Sequence, residues 1–317
     1  SDVCSSDLRN QPRNTFPNHM STGEEITLHV DNNPKTLLRS RIFGHEGVII
    51  PFREGIIAKK CRILRELRFY LCYIGWMHDM VPPCFVPQFE GIVDEDDTLK
   101  KISFKNNEVR LKMKREFSMP TISSTPYILM RDIAEGFERP AVLDIKLGKR
   151  TWELGANPEK VERMKRKCQQ GTAKALKFKV RAAMWYSREP EKWPIIDGTN
   201  FVERKFGNTC TVEELIDFFR DFFHFNEQLS YFIKQLKELR EALMKLRNEA
   251  NTRMFSSSVL LTYDENDPTK KECRILDFAK TYWNINEIAE NFHESVNDCE
   301  DDVIPAISNL MNILSSL

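Results

Sequence analysis

Glu138–Trp152 reads ERPAVLDIKLGKRTW, and apart from its charged residues it has the apolar character of a strand buried inside a sheet. Side chains of a strand alternate between faces, so Asp144 and Lys146 share one side with Val142, and Gly148 follows in the same row. A carboxylate and an ammonium on a core strand need each other or a ligand, because unpaired buried charge is costly. An internal ion pair is the plain structural explanation; a bound phosphoryl group is the functional one.

The sequence that follows bears on the choice. From Lys146 to Arg181 twelve basic residues stand against Glu153, Glu159 and Glu162, in a chain whose 47 Lys and Arg balance 47 Asp and Glu. Zero net charge argues against a chain built as a whole for nucleic acid or membrane, so the excess is local. A charge run is commonly a solvated helix face. Beside a buried acid, however, a compact basic surface suits a small, highly phosphorylated ligand, since each phosphate calls for charge-assisted donors. No aromatic ladder or nucleic-acid motif accompanies it.

Asp277, in RILDFAK, reads as a second acid inside an apolar strand, and a divalent cation is one way to compensate it. Lys59 and Lys60 fall on an expected strand, GIIAKKC, with Glu66 on the helix after it. Protein kinases hold nucleotide and magnesium with such parts, although no G-x-G-x-x-G or H-R-D motif occurs here.

Residues 1–35 are polar and aperiodic and are expected to be disordered. Residues 36–130 read as a small β-rich lobe: strands LLRSRIF, GVIIPF and GIIAKKC, a helix over 62–77, and strands FVPQFEGIV and YILMRDI around a charged loop. Residues 131–317 read as a larger α+β lobe with a helical insertion at about 151–180. Within it Thr211 and Glu214 hold capping-box positions, and SSVLLTY and CRILDFA are late strands before a helix over 303–314. Leu229, Phe232, Leu236, Leu239, Leu243 and Leu246 fit either a coiled-coil seam or, more commonly at this length, packing inside one chain, so a monomer is expected. The eight cysteines show no C-x-x-C or zinc spacing, which suits reduced thiols. No apolar run reaches the ~18 residues of a membrane span and the N-terminus is no signal peptide, so a cytoplasmic or nuclear protein is expected.

The motifs carry a family resemblance. PAVLDIKLG (140–148) resembles the P-x-x-x-D-x-K-x-G signature of the inositol polyphosphate kinases, SSVL (257–260) their Ser-Ser-Leu-Leu element, and LDFA (276–279) their Ile-Asp-Phe element, in the same order. The likeness runs from about Phe43 to Leu314, and residues 159–186 look most like the inositol hexakisphosphate kinases.

The resemblance implies a two-lobed, kinase-like α+β fold using ATP and Mg2+. It implies transfer of the γ-phosphate to inositol hexakisphosphate, giving a diphosphoinositol phosphate. The alternatives are a multikinase or trisphosphate kinase acting on ring hydroxyls, and a non-catalytic inositol-phosphate sensor. By position, Asp144 falls at the reacting centre and Lys146 at the transferred phosphoryl group. Asp277 falls at the metal, with Ser257 supporting it. Lys60, in preference to Lys59, falls at the α- and β-phosphates with Glu66 behind it, Asp132 at the ribose, and Lys149, Arg150, Arg163, Arg166 and Lys167 on the substrate side. His45 falls in a turn beside the nucleotide phosphates. Three departures stand out: Arg131 replaces a hinge acid, Gly207-Asn208 replaces Gly-Arg, and DDVIPAISNL lacks the family's glycines. They bear on nucleotide preference, substrate affinity and packing respectively.

Overall fold

Most strands of the computed structural model, which describes residues 49–53, 55–93, 99–100, 125–224, 226–295 and 299–317, fall in two antiparallel sheets. The expected strand at 37–43, the turn at His45 and most of the 94–119 loop lie outside these residues. The first sheet contains β1 (Ile49–Arg53), β2 (Ile56–Lys60), β3 (Phe89–Val93), β4 (Leu99–Lys100) and β5 (Tyr127–Arg131), in the order β1-β2-β5-β3-β4. Helix α1 (Leu64–Gly75) follows β2 and is shorter than its apolar spacing predicts, because Trp76 leaves the helical region at φ −157°. It buries Leu67, Phe69, Tyr70 and Leu71, and with them Glu66.

The second sheet is built on β6 (Pro140–Leu147), the quoted stretch. Its other strands are β7 (Phe178–Trp185), β8 (Ile195–Ile196), β9 (Thr199–Val202), β11 (Ser258–Asp264) and β12 (Lys271–Leu276), in the order β12-β11-β6-β7-β9-β8. Two short strands, β10 (Arg253–Met254) and β13 (Thr281–Tyr282), pair separately. The alternation along β6 is as the sequence predicts: Ala141, Leu143, Ile145 and Leu147 enter the main core, while Val142 packs with Met184 and Leu260 on the face that carries Asp144 and Lys146. Pro140 opens the strand, where a missing N–H costs little. Gly148 closes it at φ +79°, in the left-handed region, where a Cβ would come within 2.1 Å of the Asp301 carbonyl oxygen.

Helices α2 (Pro158–Cys168) and α3 (Ala173–Leu176) connect β6 to β7. The core face of the second sheet is covered by helices that follow β9: α4 (Arg204–Thr209), α5 (Val212–Phe222), α6 (Asn226–Ala250) and, after α7 (Ile285–Asn291), α8 (Val303–Leu314). Thr211 Oγ1 accepts from the Glu214 amide at 3.1 Å and Glu214 returns a carboxylate to the Thr211 amide at 2.8 Å, so the expected capping box starts α5. On α6, Phe232, Leu236, Leu239, Leu243 and Leu246 are buried in the chain's own core, facing Ala306, Ile307 and Leu310 of α8. Burial of each large side chain contributes about 1.5–3 kcal/mol, so this row is committed to intramolecular packing.

Candidate active site

A cavity of about 580 Å³ is lined by residues of both sheets. One part of its wall is apolar, with Ile57, Met130, Ile133, Val142, Leu260 and Leu276. The remainder is strongly charged.

The charged part is organised by helix α1. Glu66 and Phe69 lie three residues apart, hence on one helical face. Glu66 accepts from Lys59 Nζ at 2.7 Å, and Phe69 stacks on Phe278 with 3.5 Å between ring centroids. Phe278 adjoins Asp277, so one helix face fixes both the β2 lysine and the acid. Asp277 lies one residue beyond β12, at φ +64°, rather than within the strand as the sequence suggests. That bend turns its carboxylate toward two cations: Oδ1 accepts from Lys59 at 2.9 Å and Oδ2 from Lys146 at 3.1 Å. Burial alone would raise the Asp277 carboxyl, but Lys59 and Lys146 outweigh it and hold the group far below the usual carboxylate range. Burial pulls the Lys59 ammonium down, while Asp277 and Glu66 carry it well above its ordinary value. Ser257 is fully buried, and its hydroxyl donates to the Asp277 carbonyl at 3.4 Å, which supports the bend from behind.

Asp144 has the opposite environment. It is 5% exposed, and its Oδ1 is buried without a hydrogen-bond partner. Burial and the negative charge of Asp277 raise its carboxyl to about 6, against the pull of Lys146 and Arg181. Beside it the register between β6 and β7 slips by one residue: Asp144 pairs with Ala182 and Ile145 with Val180, leaving Arg181 as the extra residue of a bulge. Bulges re-aim side chains. Here the slip lets Arg181, as well as Lys179 opposite Lys146, line the cavity.

The residues singled out from sequence divide into two groups. Asp144, Lys146, Lys59, Lys60, Glu66, Asp132 and Asp277 all line this one cavity. Of the two lysines, Lys59 is the one bound to Glu66 and Asp277. Lys60 is on the alternate face of β2, its ammonium 5.8 Å from the centre of the Tyr127 ring, so the preference for Lys60 by spacing to Glu66 is not what the strand's alternation produces. Asp132 bonds the Ala134 amide at 3.0 Å.

The second group lies off the cavity. Arg150 is buried, paired with Glu294 at 2.8 Å, and lies over the Phe255 ring, so it serves the fold. Lys149 reaches Asp302 at 3.8 Å. Arg163, Arg166 and Lys167 are exposed on α2, whose cavity-facing residue is Met164. The basic wall comes instead from Lys179, Arg181, Arg204 and Lys280. Lys179 and Arg181 belonged to the basic run, but only the bulge explains why both line the cavity. Of the departures, Arg131 is half-exposed between Glu90 and Glu135. Asn208 accepts from Lys179 at 2.7 Å. Asp302 takes the left-handed conformation at the start of α8 that a glycine would favour.

Two carboxylates and a cluster of cations fit a nucleotide with a divalent ion. The described residues hold no group of three or more His, Cys, Asp or Glu side chains arranged for a metal. Magnesium sites commonly need only one or two carboxylates, with phosphates and water supplying the rest. The buried, unpartnered oxygen of Asp144 is an acceptor of that kind.

Residues 127–315 match the family model described as inositol polyphosphate kinase. Among curated relatives, mouse inositol hexakisphosphate kinase 3 is 24% identical over 209 residues, covering 60% of this chain and 50% of that protein. The inositol polyphosphate multikinase of Saccharomyces cerevisiae is 26% identical over 283 residues, covering 76% and 75%. The chain thus spans about half the length of the hexakisphosphate kinase it matches. In three dimensions it resembles the crystal structure of the inositol phosphate multikinase Ipk2 from S. cerevisiae in complex with ADP and Mn2+, with a TM-score of 0.59 at 20% identity, over 82% of this chain and 98% of that one. The two sheets and the helices around them thus form a kinase-like, two-lobed α+β fold, and the chain belongs to the inositol polyphosphate kinase family.

Proposed function

We propose that this chain transfers the γ-phosphate of ATP to inositol hexakisphosphate, forming a diphosphoinositol phosphate. The observation that carries the proposal is the joining, in one cavity, of an apolar wall, the Lys59–Asp277–Lys146 bridge, Asp144 and a basic wall. The apolar wall would take the adenine, and Asp132 at its edge the ribose. Lys59, braced by Glu66, would hold the α- and β-phosphates. Asp144 and Asp277 would hold a divalent cation, which when bound neutralises charge on the phosphate oxygens.

In the reaction the bond from the γ-phosphorus to the bridging oxygen breaks as a bond to the acceptor oxygen forms, and ADP leaves. The transition state is loose, with charge on the equatorial oxygens, so positioning and cations supply most of the acceleration. Lys146 supplies such a cation beside Asp144. A phosphate acceptor is already anionic and needs no strong base, leaving Asp144 to orient it. Arg181, Arg204 and Lys179, which form no ion pair among the described residues, offer charge to the many phosphates of the acceptor.

One observation favours a second reading, phosphorylation of ring hydroxyls by a multikinase. A carboxyl raised to about 6 suits a general base that takes a hydroxyl proton. Incubation with magnesium-ATP and inositol hexakisphosphate, with Lys146→Ala as control, tests both. A new pyrophosphate signal in phosphorus NMR, absent from the control, supports the first reading. Turnover only of less phosphorylated inositols, giving new phosphate esters, replaces it with the second.

A further inference from the structure

The described strands of the first sheet end at Arg131 and those of the second begin at Pro140, so residues 132–139 carry the chain from one sheet to the other. Arg131, at the start of this crossing, does not direct its side chain along the apolar wall. Met130 lines that wall, and strand alternation turns its neighbour the other way. Arg131 pairs with Ile56, on the face where Ile56 packs with Phe52, Ala58 and Leu129.

Two carboxylates meet the guanidinium there. Nη1 donates to Glu135 at 3.0 Å, and Nη2 lies 3.6 Å from Glu90. Both acids owe their place to an irregularity of the backbone. Strand β3 slips by one residue against β5, with Phe89 opposite Met130 and Gly91 opposite Leu129, which makes Glu90 the extra residue of a bulge. The Gln88 side chain steadies Glu90 by donating to it at 2.8 Å. The Glu135 carboxylate lies over Gly55, in the β1–β2 turn, where a Cβ would stand 1.8 Å from Oε1.

The same turn holds the start of the crossing, because the Gly55 carbonyl accepts from the Asp132 amide at 2.8 Å. Two further bonds close the bend: the Glu135 amide donates to the Asp132 carbonyl at 3.1 Å, and the Ala134 amide to Asp132 Oδ1 at 3.0 Å. Asp132 therefore sits in a turn whose last residue is tied, through Arg131, to the edge of the first sheet. A single exposed ion pair orders little. Here a bulge, a glycine and two acids converge on one guanidinium.

We infer that Arg131 is a positioning residue: through Glu90 and Glu135 it clasps the turn 132–135 to the first sheet and so sets the Asp132 carboxylate toward the ribose, a role that rests on the nucleotide reading of the cavity. Arg131 then acts on affinity for the sugar and not on the choice of base.

Calorimetric binding of magnesium-ADP and of magnesium-2′,3′-dideoxy-ADP to the full chain tests it. Arg131→Ala should weaken magnesium-ADP about threefold, and the dideoxy nucleotide, which has no ribose hydroxyl to lose, by less than about 1.5-fold. Arg131→Glu, which sets a third carboxylate beside Glu90 and Glu135, should weaken magnesium-ADP at least about tenfold, and adding Glu135→Gln should recover part of the loss. Without nucleotide, Arg131→Ala should melt within about 2 °C of wild type, because the side chain is half-exposed, so misfolding does not imitate the result. Wild-type affinity in Arg131→Ala, an equal loss of both nucleotides, or no recovery on adding Glu135→Gln overturns this inference alone. A wild-type chain that binds both nucleotides equally overturns the placement of Asp132 at the ribose and the inference with it. Failure of the wild-type chain to bind either nucleotide overturns the functional reading as well.

Discussion

Asp144 and Asp277 line one cavity, yet their carboxyls shift in opposite directions, Asp144 up to about 6 and Asp277 well below the usual range. Burial acts to raise both. Asp277 is rescued by hydrogen bonds from Lys59 and Lys146, whereas for Asp144 the charge of Asp277 adds to the effect of burial. The folded chain therefore keeps one carboxyl under strain and the other firmly ionised.

The strain at Asp144 is measurable as stability. Its folded value near 6 exceeds the ordinary 3.8, so the folded state holds the proton more tightly than the unfolded chain. The resulting stabilisation is complete below pH 3.8 and is lost as pH rises through about 6. Asp144→Asn should thus be more stable than wild type at neutral pH by on the order of 2 kcal/mol, with the advantage shrinking to a few tenths near pH 4. The same variant should lose nearly all kinase activity. Urea unfolding in chelator at the two pH values checks the stability claim, and an equal gain at both would defeat it.

Lys59 and Lys60 should separate cleanly. Lys59→Met leaves Glu66, 4% exposed, without its cation and removes one of the two bonds to Asp277. Breaking a buried pair from one side costs about 3–5 kcal/mol, so this variant should unfold at markedly lower denaturant and raise KM for ATP. Lys60→Met should change stability by under about 0.5 kcal/mol. The denaturation midpoints decide the matter: a larger loss at Lys60 would reverse the assignment.

Much of this site is legible in the sequence because alternation and motif order are local properties. The row Val142, Asp144, Lys146 follows from strand geometry alone, and the capping box at Thr211 and Glu214 from residue type and spacing. What is not legible depends on a one-residue shift or on a distant partner. The choice between Lys59 and Lys60 turns on which residue faces α1 after β2 is placed in its sheet. The bulge at Arg181 changes the phase of β7 midway, which no periodicity reveals. Arg150 sits in a basic run and looks like a ligand contact, but its partner, Glu294, lies far along the chain.

That misdirection yields a third prediction. Arg150→Ala should lower stability by about 3–5 kcal/mol, since it strips a buried guanidinium from Glu294 and from the Trp152 and Glu153 carbonyls, with little change in the substrate KM of the protein that remains folded. Arg163→Ala, Arg166→Ala and Lys167→Ala, on the exposed side of α2, should each alter that KM by less than about threefold, whereas Arg181→Ala should raise it at least about tenfold. Steady-state kinetics beside thermal melts distinguish the two classes. A large KM effect from the α2 residues would return the substrate face to that helix.

Gly207 links the fold to the basic wall. Its hydrogen faces the Val180 carbonyl where a methyl group would stand 1.8 Å away, so Gly207→Ala must push α4 off β7. Overpacking of this kind costs about 1–3 kcal/mol. Strand β7 carries Lys179 and Arg181, so the damage should extend beyond stability: binding of inositol hexakisphosphate should fall more than binding of magnesium-ADP, whose apolar wall takes no residue from β7. Calorimetry with both ligands on the folded variant reads the ratio. Equal losses would mean that the closeness of α4 to β7 supports the chain as a whole and not the placement of those cations.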